Sequence, residues 1–115
     1  MKLTSTLVVA AAACVLLAQE PPAGPGTEIT MTAKKYEFDP SSVRVKSGDH
    51  VKLMITALDK EHGFKLEMLH INQKLPKGEP VTVEFTAPQP GMYPFECSHF
   101  CGLGHGKMKG ALIVE

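Results

Sequence analysis

The chain contains no tryptophan, and its aromatic complement is two tyrosines and five phenylalanines. A core must therefore be filled mainly by Val, Ile, Leu, Met and Phe. Its formal net charge is zero, so it lacks the basic excess that a nucleic-acid surface requires. No apolar run reaches the roughly 20 residues that a bilayer-spanning helix needs. No stretch carries convincing helical periodicity, and no internal repeat or low-complexity tract follows the N-terminal region. Nothing pairs an activated hydroxyl with a general base, so the chain does not read as an enzyme on its own. At 115 residues there is room for one domain and not for two.

What is present at the N-terminus is Lys2, then an apolar run over residues 7–18, then Gln19-Glu20-Pro21-Pro22. A charged start, a short apolar middle and a polar, proline-marked end form the pattern of a secretory signal peptide. Residues 1–18 are read as that leader and residues 19–26 as a Pro/Gly-rich linker, which makes the protein exported, periplasmic or extracellular. Cleavage is expected after Ala18, with Ala11-Ala12-Ala13 before Cys14 as a competing site. A lipid anchor at Cys14 is the lesser alternative, because residues 15–18 would remain apolar beyond the cut. Cys97 and Cys101 would then stand in an oxidising compartment, where an unliganded pair tends to oxidise.

From Thr27 onward the pattern has period two. Short runs at residues 28–33, 42–45, 50–57, 64–71, 80–86, 92–95 and 110–114 are separated by turn signals such as Asp39-Pro40, Ser47-Gly48-Asp49, Pro76-Lys77-Gly78 and Pro88-Gln89-Pro90-Gly91. Val51, Leu53, Ile55 and Ala57 alternate with polar or exposed neighbours, as do Val81, Val83 and Phe85. Such spacing predicts an all-β, Greek-key β-sandwich with mostly antiparallel sheets. In that architecture the connections after residues 57 and 95 can emerge at one end, bringing His62 over the loop that begins at Cys97.

That loop holds the chemistry. Cys97-Ser98-His99-Phe100-Cys101-Gly102-Leu103-Gly104-His105-Gly106-Lys107-Met108 gathers thiols, imidazoles and a thioether within a few residues. Soft sulfur donors select copper, zinc or iron–sulfur, and imidazole suits copper and zinc, so the mixture points first to copper. A structural disulfide between Cys97 and Cys101 leaves His105 and Met108 unexplained. Zinc rarely recruits a thioether. His62, within Asp59-Lys60-Glu61-His62-Gly63-Phe64, supplies an upstream nitrogen between a predicted strand end and a turn glycine. His50 and His70 read as surface or rim residues, and Lys34, Lys35, Lys107 and Lys109 as solvated charges.

The pattern C-x-x-x-C-G-x-x-H-x-x-M, preceded by Pro90-Gly91-Met92-Tyr93-Pro94-Phe95-Glu96 and followed by Gly110-Ala111-Leu112-Ile113-Val114, resembles the Cu(A) domain. This cupredoxin domain occurs in cytochrome c oxidase subunit II and in nitrous oxide reductase. The resemblance covers residues 27–115. It implies two copper ions with Cys97 and Cys101 as bridging thiolates and His62 and His105 as one imidazole on each copper. It further implies Met108 as a weak axial ligand and the backbone carbonyl of His99 as the other. Partners implied are redox proteins, such as a c-type cytochrome or a terminal oxidase. Two features depart from the oxidase pattern: His99 stands where Glu is common, and no transmembrane hairpin precedes the domain. An exported copper carrier or assembly factor using the same ligands, and a mononuclear site with one cysteine ligand, are the competing functions.

Overall fold

The computed structural model describes residues 26–98, 102 and 104–115. Among these, nine strands form two sheets and there is no α-helix. The strands are β1 (Gly26–Lys34), β2 (Glu37–Asp39), β3 (Ser42–Val45), β4 (His50–Ala57), β5 (His62–Leu66), β6 (Ile71–Leu75), β7 (Val81–Thr86), β8 (Gly91–Glu96) and β9 (Lys109–Val114). One sheet has the order β2-β1-β4-β7 and the other β3-β9-β8-β5-β6. The all-β sandwich expected from the period-two pattern is what the chain forms.

Alternation decides which side chains go inward. Val51, Leu53, Ile55 and Ala57 of β4 are buried, with Met31 and Ala33 of β1 beside them. Across the sandwich, Phe64 and Leu66 of β5, Tyr93 and Phe95 of β8, and Leu112 and Val114 of β9 face the same interior. Phe38 on β2 meets Phe95 edge-on at 5.3 Å between ring centroids and Phe64 at 6.0 Å. Phe64 and Phe95 are themselves 5.0 Å apart. Each such ring pair contributes about 0.5–1.5 kcal/mol beyond the area it buries, and this trio joins the two sheets.

The mostly antiparallel expectation holds, and two other features differ from the sequence reading. Most pairings are antiparallel, but β1 with β4 and β3 with β9 run parallel, because the chain leaves each sheet for the other and returns in the same direction. The run at residues 64–71 is two strands, not one. Leu66 is followed by a 3-10 turn over Glu67–Leu69, closed by the His70 N–H donating to the Glu67 carbonyl at 2.9 Å, and His70 adopts a left-handed conformation with φ 60°. The chain reverses there, so that β6 pairs antiparallel with β5 from Leu66↔Ile71 to His62↔Leu75. Finally, β2 is an additional short strand paired with the end of β1.

Truncating Phe95 removes the ring shared by both of these aromatic partners. Phe95→Ala is expected to cost about 3–5 kcal/mol, whereas Met92→Ala, on the same strand but 65% exposed, should change stability by less than about 0.5 kcal/mol. Urea unfolding of the metal-free protein measures both.

Candidate metal centre

The site is built by continuing two strand patterns to the same end of the sandwich. On β5 the inward residues are Leu66, Phe64 and His62; on β8 they are Tyr93 and Phe95, and the next inward position, just past the strand, is Cys97. Strands β5 and β8 pair antiparallel at Lys65↔Glu96, so the chain leaving Glu96 runs alongside the start of β5. His62 is fully buried, Cys97 is 3% exposed, and Cys97 Sγ stands 4.0 Å from His62 Nδ1. The proximity of His62 to the cysteine loop is thus a direct product of register. Gly63, read from sequence as a turn residue, lies within β5, and that extended backbone aims His62 inward.

The opposite edge of His62 is held. Nε2 lies 2.7 Å from Asp59 Oδ1, and Asp59 Oδ2 accepts the Lys35 backbone N–H at 2.9 Å. An ionised carboxylate only accepts, so Nε2 donates to Asp59, and in the neutral ring Nδ1 is the nitrogen that faces Cys97 Sγ as an acceptor. Partial burial on its own would raise the Asp59 carboxyl. The Lys35 N–H, the His62 hydrogen bond and charge, and its own backbone N–H outweigh that, and hold the group below its usual value of 3.8.

The returning chain closes beneath. The Cys97 N–H donates to the Met108 carbonyl at 3.0 Å, pinning the two ends of the loop together. A 3-10 turn over His105–Lys107 precedes Met108, with His105 N–H donating to the Gly102 carbonyl at 3.1 Å and Lys107 N–H to the Gly104 carbonyl at 2.9 Å. Met108 is fully buried and His105 half-buried. His99 and Cys101 lie outside the described residues. Among the described residues, no group of three or more His, Cys, Asp and Glu is assembled that could hold a metal; His62 and Cys97 are the two that come together, with a buried thioether nearby in sequence. His50, paired with Glu84 at 2.8 Å, and the exposed His70 are placed elsewhere.

The residues present fit a soft metal. A metal–nitrogen bond of about 2.0 Å and a metal–sulfur bond of about 2.3 Å sum to more than the observed nitrogen–sulfur separation, so both atoms can reach one ion. A carboxylate on the far ring nitrogen is the usual support of a metal-binding histidine, fixing its tautomer and ring plane. Asp59 was not singled out from the sequence, although its place three residues before His62 was the available signal.

This chain belongs to the cupredoxin-like domain family, whose model matches residues 7–114. Cupredoxin domains bind copper and serve as electron-transfer modules. The chain is 34% identical over 87 residues to cytochrome c oxidase subunit 2 of Thermus thermophilus, covering 76% of this chain and 64% of that subunit. With nitrous-oxide reductase of Cupriavidus necator it shares 33% identity over 91 residues, which is 76% of this chain and 14% of the reductase. It therefore spans less than two thirds of the length of these relatives, which are enzymes or enzyme subunits. Among solved structures, a chain of a haem–copper terminal oxidase dimer superposes with a TM-score of 0.72 at 25% identity, over 90% of this chain and 78% of that one. No helix among the described residues is long and apolar enough to cross a membrane.

Because the folded carboxyl of Asp59 is depressed, its contribution is fully present above the ordinary value of 3.8 and is lost as pH falls through the lower folded value. Metal-free protein is therefore expected to lose stability in acid more steeply than Asp59→Asn. Unfolding midpoints measured from neutral pH downward should converge for the two proteins at the acid end.

Proposed function

We propose that this chain is an exported electron-transfer protein carrying a dinuclear Cu(A)-type centre. On this reading His62, Cys97, Cys101, His105 and Met108 hold the two coppers with the backbone carbonyl of His99. Residues 1–18 are the leader, residues 19–26 the linker, and residues 27–115 the copper domain. The single observation that carries the reading is the Asp59–His62–Cys97 arrangement: a buried imidazole held at Nε2 by a carboxylate, with Nδ1 4.0 Å from a buried thiol. Copper bound by these residues would supply a one-electron couple, with Cys97 and Cys101 as its thiolate donors.

The chain's own residues do the rest. Burial of His62, Cys97 and Met108 keeps water from the donors and lowers the local dielectric, which tunes a redox site. The hydrogen bonds from Lys35 to Asp59 and between Asp59 and His62 hold the ring against rotation, so that an electron can come and go with little rearrangement. The Cys97–Met108 backbone bond fixes the spacing of the two ends of the ligand loop. The domain passes single electrons between a donor such as a c-type cytochrome and a respiratory acceptor. Exposed Lys107 and Lys109 flank Met108 and offer positive charge to an acidic partner, a contact that acts mainly on encounter rate.

The decisive measurement is electron paramagnetic resonance of the copper-loaded protein together with a copper count. Two coppers per chain and hyperfine structure from one electron shared equally between two nuclei are expected; one copper with a mononuclear spectrum overturns the reading. Rapid surrender of the metal to a chelator would point instead to a copper carrier.

Variants separate the ligand roles. Cys97→Ser and Cys101→Ser should each abolish the shared-electron signal, whereas Met108→Leu should keep the cluster and shift its potential. His62→Ala should lose or grossly alter the centre, while His99→Glu should preserve copper count and colour. The reverse result at positions 62 and 99 would mean that the imidazole assignment is wrong.

A further inference from the structure

The two residues between β1 and β2, Lys35 and Tyr36, touch both halves of the candidate centre. β1 and β2 pair up to Lys34↔Glu37, which leaves these two as the turn. β1 also runs parallel to β4 as far as Ala33↔Ala57, and the Leu58 N–H donates to the Ala33 carbonyl at 2.9 Å. The turn is thereby held where the chain leaves β4 and passes through Asp59 toward His62. The Lys35 N–H holds Asp59 at 2.9 Å, and Asp59 holds His62. This is one arm of the contact.

The other arm is the Tyr36 ring. A Cβ built on Gly104 would overlap the Cγ, Cδ2 and Cε2 atoms of Tyr36, and one built on Gly102 would overlap its hydroxyl oxygen and lie 3.2 Å from Cζ. The ring thus lies directly on the backbone of the segment whose carbonyls, at Gly102 and Gly104, accept the N–H groups of His105 and Lys107. The overlap at Gly104 involves atoms near the root of the side chain, which cannot swing aside as its tip can. Tyr36 is itself half-buried and packed against the core, so it has a firm footing.

We propose that Tyr36, with the Lys35 N–H, is a positioning element for the metal centre. The turn sets the spacing between the His62 side and the His105–Met108 side of the site, and Tyr36 seats the glycine segment against the sandwich. Sites held this way keep their donors near binding geometry before the ligand arrives, which slows its loss. The role rests on the copper-site reading for its function but not for its geometry.

A double-mutant cycle on Tyr36 and Gly104 tests it in metal-free and copper-loaded protein. Gly104→Ala alone should lower the urea midpoint of metal-free protein, and Tyr36→Ala/Gly104→Ala should recover part of that loss because the ring no longer occupies the space. Additive losses would overturn the contact. In loaded protein, Tyr36→Ala should release copper to a chelator about 10–100-fold faster, the scale seen when a supporting residue of a metal site is removed. Tyr36→Phe, which keeps the ring, should restore the wild-type rate. Coupling in the metal-free cycle with an unchanged release rate would overturn the positioning role and leave Tyr36 merely structural. If Tyr36→Ala does not fold, Tyr36→Leu serves in both arms. Failure of the chain to bind copper would show in the metal count and leave the metal-free cycle intact, so the two readings fail separately.

Discussion

Everything at the candidate centre depends on the register of one narrow strand pairing. β5 and β8 meet at Lys65↔Glu96, and side chains on a strand alternate faces with a period of two. With that register, His62 and Cys97 fall on the inward positions already occupied by Phe64, Leu66, Tyr93 and Phe95. A slip of one residue in either strand would turn its donor to solvent and a charged or exposed neighbour into the core. The aromatic contacts of Phe38, Phe64 and Phe95 resist such a slip, since those rings fit only when each strand presents its present face. The packing of the core and the placement of the donors are thus the same constraint seen at two depths.

The donors come from elements distant in sequence, so their spacing cannot be set locally. His62 begins β5, Cys97 follows β8, and Met108 precedes β9. What joins them is the backbone bonds from Cys97 to Met108 and from Leu58 to Ala33, together with the Lys35 N–H donated to the Asp59 carboxylate. Backbone hydrogen bonds of this kind are worth about 1 kcal/mol each in net terms. Their geometric effect is larger, since each removes a way for two segments to drift apart. A buried imidazole also needs a partner for its N–H, and Asp59 supplies it with one oxygen while the other is occupied by the β1–β2 turn.

Much of this was legible in the sequence, and the gaps have physical reasons. The alternation of Val51, Leu53, Ile55 and Ala57 marked β4 and its inward face, and the Cys-rich loop with His62 upstream marked a candidate site of which the described residues bring His62 and Cys97 together. Alternation names a face but not a neighbour, so the parallel pairings of β1 with β4 and β3 with β9 were invisible. The run at residues 64–71 read as one strand because Leu66 and Met68 continue the period across a turn that ends on His70, a residue whose left-handed backbone leaves little trace in composition. β2, at three residues, is too short to show any period. Asp59 could have been found by asking what holds the far nitrogen of His62. Tyr36 could not, because its contact with Gly104 exists only once two remote segments are folded together.

The order of strands in the second sheet also governs when the centre can form. β9 is the last of the nine strands, yet it lies between β3 and β8, parallel to one and antiparallel to the other. Until it docks, β3 has no partner in that sheet, and the loop from Cys97 to Met108 has only one end fixed. Closing such distant pairings is slow compared with forming local ones. The Met108 carbonyl that receives the Cys97 N–H stands next to β9, so the two ends of the ligand loop are pinned together only when that strand is in place.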